Sequence, residues 1–116
     1  MAEANTNAAQ PSSGRVSYEV WQMLHVVHRR AEFSHLTWSA FITEMFVQGL
    51  TDFGRQDDLS AALRSALEHV QNERKTLTPG ATKAQADAIN IMSTGANQKP
   101  EKIVALSIAR GYLIAR

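Results

Sequence analysis

The sequence predicts a mostly all-α protein of about five helices in one compact domain, and three observations support this fold class. The chain has 116 residues, the length of one ordinary domain. Apolar residues make up 44% of it and charged residues 20%, which is usual for a globular protein and too apolar for general disorder. Apolar side chains recur every three or four positions from about residue 16 onward, which is the period of an α-helix.

The first fourteen residues, MAEANTNAAQPSSG, lack this pattern. They are small and polar, so they would bury too little apolar surface to offset the entropy lost on ordering. We therefore predict a disordered tail over residues 1–14 and a single helical domain over residues 15–116. Within that domain, residues 15–54 form a helix pair and residues 57–116 form a C-terminal helical part.

The first two helices have the clearest patterns. The hydroxyl of Ser17 can cap the first helix, which should end around residues 33–36. Its apolar stripe contains Val20, Met23, Leu24, Val27 and Ala31. The second helix begins at Thr37 or Ser39 and ends at Gly54. Its apolar stripe contains Phe41, Ile42, Met45, Phe46, Gly49, Leu50 and Phe53. Because glycine weakens a helix interior, Gly49 predicts a close approach to another helix.

Three further helices complete the predicted fold. The third opens at Asp57 and Asp58, continues to about Lys75 and is broken by the Thr-Pro-Gly sequence at residues 78–80. The fourth covers about residues 81–93. The fifth begins at a proline, which suits the first turn of a helix, and is apolar around much of its circumference. Such a helix should pack in the core or against a second chain.

The charge balance and the residue types narrow the function classes. Twelve Lys and Arg against eleven Asp and Glu leave a net charge of +1, so no strong overall field attracts nucleic acid or an anionic membrane. The absence of cysteine removes disulfides, cysteine zinc sites and thiol catalysis, and it fits a reducing compartment. The sequence has neither a signal peptide nor the roughly 18 apolar residues that cross a bilayer. We therefore predict a cytoplasmic protein without a membrane partner.

Enzymatic signatures are missing from the sequence. It has no nucleophile elbow, no phosphate-binding glycine-rich loop and no His-Glu-x-x-His motif, so we predict a non-enzymatic protein without a cofactor. His25 and His28 share one helix face, and Glu32 and His35 form a Glu-x-x-His step of the kind that holds iron in ferritin-like proteins. That step is not repeated on another helix. We therefore predict no metal site and interpret these histidines as surface groups at a helix end.

Residues 15–53 resemble the ribbon-helix-helix family of DNA-binding dimers. The residues that carry the resemblance are Val16, Ser17, Val20, Leu24, Val27, Ser39, Phe41, Ile42 and Leu50. In that family a short N-terminal strand pairs with its two-fold mate and enters the DNA major groove, and two helices per chain form the dimer core. The resemblance implies a short strand near residues 15–18. It also implies DNA contacts by Arg15, by Ser17 and by the start of the second helix at Ser39.

The sequence therefore supports two hypotheses about function. The first is a small DNA-binding homodimer, a transcription regulator or plasmid-type accessory protein. Its candidate DNA-binding residues are Arg15, Ser17, Arg29, Arg30 and Ser39. Both Arg29 and Arg30 could instead lie on a solvated face, paired with Glu32.

The second hypothesis is a protein–protein adaptor or assembly subunit that uses the apolar C-terminal helix and has no nucleic-acid role. The candidate interface residues are Trp21, Phe46, Ile108, Tyr112 and Leu113. Trp21 and Trp38 could stack on bases, but aromatic residues within helices are more often core or interface anchors.

Overall fold

The structure is a computed structural model that describes residues 13–70 and 74–116. Within these ranges it confirms the predicted mostly helical fold, with five α-helices and one two-stranded antiparallel sheet. The elements in chain order are β1 (Gly14–Val16), α1 (Tyr18–His28), α2 (Trp38–Gly54), α3 (Leu59–Leu67), a 3-10 turn (Glu68–Val70), β2 (Lys75–Leu77), α4 (Lys83–Ala96) and α5 (Pro100–Ala115). Most of the predicted tail, residues 1–12, lies outside the described residues.

The two strands form a short ribbon within this chain. Gly14 lies opposite Leu77 and Val16 lies opposite Lys75. The predicted N-terminal strand is therefore present, but it begins inside the stretch that we assigned to the tail. Its partner among the described residues is β2 of the same chain, whereas the ribbon-helix-helix resemblance implies a strand from a second copy.

The helix boundaries follow local capping chemistry. The hydroxyl of Ser17 accepts a hydrogen bond from the Val20 amide at 3.1 Å, which starts α1 where the sequence predicts. Thr37, rather than Ser39, caps α2. The first helix ends at His28, earlier than predicted. His28 Nε2 donates a hydrogen bond to the Leu36 carbonyl at 2.7 Å, which links the end of α1 to the segment before α2.

Two inward positions predicted for the first helix are wrong. Met23 is 42% exposed because it lies at the edge of the apolar stripe. Ala31 is exposed because it lies beyond the end of α1. All seven apolar positions predicted for the second helix are buried.

The third predicted helix is too long. Its regular part ends at Leu67, and residues 75–77 form β2 instead of a last helical turn. Pairing with β1 overrides the local helical pattern, and the β-branched side chain of Thr76 suits a strand.

Helix α5 forms the centre of the core. Residues 103–109 are all buried, so this helix is surrounded by the rest of the chain. Its closest neighbour is α2. Gly49 of α2 has no room for a side chain, because a Cβ there would overlap the Ser107 carbonyl of α5. The predicted close helix approach at Gly49 is confirmed. Of the two places predicted for the last helix, it occupies the core.

Candidate nucleic-acid interface

The outer face of the ribbon exposes polar and basic side chains. Burial alternates along β1, where Gly14 and Val16 are buried and Arg15 is exposed. Thr76 lies opposite Arg15 and is also exposed. Residues that lie opposite one another in a ladder share a face of the sheet, so Arg15 and Thr76 are neighbours. The amide of Arg74 donates to the Val16 carbonyl at 3.1 Å, so an exposed arginine follows the ribbon at its end.

An open groove of about 740 Å³ lies beside this face, between the ribbon and the N-terminus of α5. It is lined by Ser13, Gly14, Arg15, Thr76, Asn97, Gln98, Lys99, Glu101, Lys102 and Ala105. Three of these residues are cations and one is a carboxylate, so their net charge is +2. The chain as a whole carries only +1. The groove is therefore a local basic region on a nearly neutral protein.

The turn between α4 and α5 brings two of the cations to the groove. Asn97 ends α4 in the left-handed conformation, with φ 57° and ψ 44°, and Ser93 donates to the Gln98 carbonyl. Lys99 then takes an extended conformation and Pro100 occupies the first turn of α5. Among the described residues no side chain caps this helix start, so the partial positive charge of its first turn adds to the charge of the lysines, and Glu101 in the same turn offsets part of it.

Gly14 allows the strand to lie directly on α5. A Cβ at this position would come within 2.7 Å of the Glu101 carbonyl oxygen and within 2.9 Å of the Ala105 Cα. A larger residue would separate the backbones of β1 and α5. Because glycine has no side chain, β1 can lie on α5, and Arg15 is thereby placed beside the N-terminus of α5.

Of the five candidate DNA-binding residues, Arg15 lines this groove. Ser17 has a structural position instead. It is only 4% exposed, its hydroxyl caps α1, and its amide donates to the His69 carbonyl at 3.3 Å. The Ser17 side chain is therefore committed to the start of α1 and is turned away from solvent.

The remaining three candidates lie at the end of α1 and the start of α2. Arg29 and Ser39 are exposed. The guanidinium of Arg30 donates to the Ala115 carbonyl at 2.7 Å and to the Arg116 carbonyl at 3.2 Å. Arg30 thus hydrogen bonds to the unpaired carbonyl groups at the C-terminal end of α5.

The candidate interface residues are mostly internal. Phe46 and Ile108 are fully buried and Tyr112 is 5% exposed, so these three belong to the core of a single chain. Leu113 is partly buried against that core. Trp21 is also partly buried and lies between Tyr18 and His25.

Sequence reasoning did not identify Thr76, Lys99 and Lys102 as parts of the site. The local signal for a helix start at Lys99 was visible, because a proline follows it. That this helix start lines the same groove as Arg15, near the other end of the chain, is visible only in the fold.

The part of the chain that the structure describes has neither a cluster of metal-ligating side chains nor a helix that could span a membrane. In residues 13–70 and 74–116 no three His, Asp or Glu side chains meet in a way that could hold a metal ion, and this part includes His25, His28, Glu32 and His35. The helices in the same ranges are too short or too polar to cross a bilayer.

Comparison of the chain with protein-family models, with curated proteins and with solved structures gave no match.

Proposed function

We propose that this protein binds double-stranded DNA through the outer face of the ribbon and the basic groove beside it. The observation that carries the proposal is the convergence of Arg15, Lys99 and Lys102 on one groove. Neutralisation of phosphate charge supplies most of the affinity of proteins for DNA, and it depends on local rather than overall charge. A net charge of +1 for the whole chain is therefore compatible with this role.

The groove and the ribbon suit different parts of the DNA. Lys99, Lys102 and the uncapped start of α5 suit the phosphate backbone, because a helix N-terminus and ammonium groups both attract anions. The ribbon suits a groove of the duplex, because the major groove of B-DNA accommodates a two-stranded β-ribbon. Arg15 and Thr76 on its outer face are then the side chains positioned to reach base edges.

The cellular role that we propose is that of a transcription regulator or plasmid-type accessory protein. A non-enzymatic cytoplasmic regulator fits a small DNA-binding domain with this site. The homodimer implied by the ribbon-helix-helix resemblance stays a prediction, since β1 pairs with β2 of its own chain. The alternative role as an adaptor relied on an apolar last helix, and residues 103–109 of that helix lie inside the core. DNA binding is therefore the better-supported function.

Fluorescence anisotropy of a labelled, mixed-sequence duplex tests the proposal at two salt concentrations, about 50 mM and about 200 mM. The informative variant is Lys99→Gln with Lys102→Gln, which removes two charges from the groove. The matched control is Arg64→Gln with Lys83→Gln, which removes two charges from exposed positions that do not line it. Circular dichroism should confirm that both variants remain folded.

The wild-type protein should bind less tightly at the higher salt concentration, by about a hundredfold if about four phosphates are contacted. The groove variant should bind roughly tenfold more weakly at low salt and show a salt slope smaller by about two. The control should bind like the wild type. Salt-independent binding, no binding at micromolar protein, or an equal loss in both variants would contradict the proposal.

A further inference from the structure

A continuous array of ring contacts joins α1 to α2. Tyr18 stacks on Trp21 with ring centres 5.7 Å apart, and the Trp21 ring meets His25 edge-on at 4.5 Å. His25 in turn lies flat on Trp38, with ring centres 3.9 Å apart and planes only 2° from parallel. Both tryptophans thus pack on protein rings, and His25 lies between them.

The array also reaches the ribbon. The Lys75 ammonium lies 4.3 Å from the centre of the Trp21 ring and 5.6 Å from that of Tyr18. Lys75 belongs to β2, next to Thr76 on the proposed DNA-binding face. Any loss of packing at His25 would therefore reach the ribbon through Trp21 and Lys75.

His25 occupies a place that suits only its neutral form. Its Nε2 atom is buried and has no hydrogen-bond partner among the described residues. A proton added to the ring makes both nitrogens donors, so a buried N–H would then lack an acceptor. Burial lowers the pKa of His25 below its ordinary value, and the positive charges of Arg29 and His28 lower it further.

The neighbours of His25 include cations and an uncharged aromatic ring. His28 of its own helix and Arg29 at the end of that helix act on His25 directly, and the Lys75 ammonium of β2 lies 4.3 Å from the centre of the Trp21 ring that His25 contacts. Helix α2 contributes the uncharged ring of Trp38. An imidazolium would gain some cation–π attraction from that ring. Desolvation and the neighbouring cations act against it and have the larger effect, because the pKa of His25 is lowered.

We propose that His25 is an acid-sensitive latch, whose protonation loosens α1 from α2 and disturbs the ribbon. The consequence for DNA binding rests on the proposed function, whereas the latch itself does not. The direction of the pH effect on stability follows from the linkage between proton binding and folding. Because the folded protein binds this proton more weakly than the unfolded chain, the stabilisation by neutral His25 is complete above about pH 6.5 and decreases below it.

Intrinsic fluorescence tests the latch directly, because both tryptophans of the chain contact His25. The wild type is compared with His25→Phe, which keeps a ring without a titrating group, and with His35→Gln, which removes an exposed histidine. Fluorescence and melting temperature are followed from about pH 8 to about pH 5, the range in which histidine titrates. Nuclear magnetic resonance measures the pKa of His25 in the wild type, so the test does not depend on a variant that folds.

The wild type and His35→Gln should lose melting temperature by several degrees over this range, with a fluorescence change, and His25→Phe should lose clearly less. Parallel curves for all three proteins, or a His25 pKa at or above the ordinary value of histidine, about 6.5, would overturn the latch. Duplex binding by the wild type should weaken towards acid pH, and that by His25→Phe should not. Equal pH dependence of binding in both proteins would overturn the link to DNA. No binding at any pH would overturn the proposed function and leave the latch standing.

Discussion

Gly49 of α2 faces Ser107 of α5 so closely that a side chain on the glycine would overlap the Ser107 carbonyl. Gly111 of α5 lies equally close to α2, since a Cβ on Gly111 would overlap the Met45 carbonyl. The two helices therefore meet backbone to backbone at two points. This contact places α5 deep in the core and fixes the position of its N-terminus, where the basic groove lies.

Replacing Gly49 by alanine should therefore destabilise the protein. The new methyl group must push α2 away from α5, and overpacking of a core costs about 1–3 kcal/mol or more. Thermal and urea unfolding measure the loss. Gly95→Ala is the matched control, because this helical glycine has no atom within 4 Å of a built Cβ. Alanine there should leave stability unchanged or raise it by up to about 1 kcal/mol. Equal stability of the two variants would contradict the close contact.

A second prediction concerns the position of β1 on α5. Gly14→Ala should lower both stability and DNA affinity, because its Cβ would meet the backbone at Glu101 and separate the strand from the groove. Urea unfolding and duplex anisotropy measure the two effects. Gly54→Ala, at an open position at the end of α2, should change neither by much. A stable Gly14→Ala variant with unchanged affinity would show that this contact does not shape the site.

A third prediction separates the cap at Ser17 from a DNA contact. Ser17→Ala removes the hydroxyl that holds the Val20 amide, and the loss of an N-cap costs about 1 kcal/mol. Its affinity for the duplex should be unchanged under conditions where the protein is folded. Ser39→Ala should not alter stability, because Thr37 caps that helix. Weaker DNA binding by a fully folded Ser17→Ala variant would instead support the role implied by the family resemblance.

A fourth prediction concerns the two arginines at the end of α1. Arg30→Gln should lower the free energy of unfolding by roughly 1 kcal/mol, because the guanidinium donates to carbonyl groups at the end of α5. Arg29→Gln should change it by less than about 0.5 kcal/mol, as is usual for an exposed side chain. Urea unfolding of both variants is the measurement. The reverse order of stability would show that the Arg30 hydrogen bonds contribute little in solution.

Local patterns predicted most of the helical fold. A stripe of seven apolar residues after a cap at Thr37 or Ser39 predicted α2, and the structure buries the whole stripe and places the cap at Thr37. β2 was missed, because three residues are too few to show the alternation of a strand and Thr76 is set in place by β1. The end of α1 was misplaced because a side-chain hydrogen bond from His28 to the Leu36 carbonyl, eight residues further on, helps to fix it.

The candidate site was predicted only in part, for the same reason. The ribbon-helix-helix resemblance marked Arg15 as a candidate, and Arg15 lines the groove. Lys99 and Lys102 join it through the packing of β1 on α5, which no local pattern encodes. Arg30 looked equally basic in the sequence, yet its guanidinium is held by the C-terminal end of α5.

The most direct test of the central claim is a nuclear magnetic resonance titration of the isotopically labelled protein with duplex DNA. Amide shift changes should concentrate at residues 14–16, at Thr76 and at residues 98–102, and they should decrease as salt is added. Changes centred on Arg29 and Ser39, or no changes at low salt, would contradict a DNA-binding site at the ribbon and its groove.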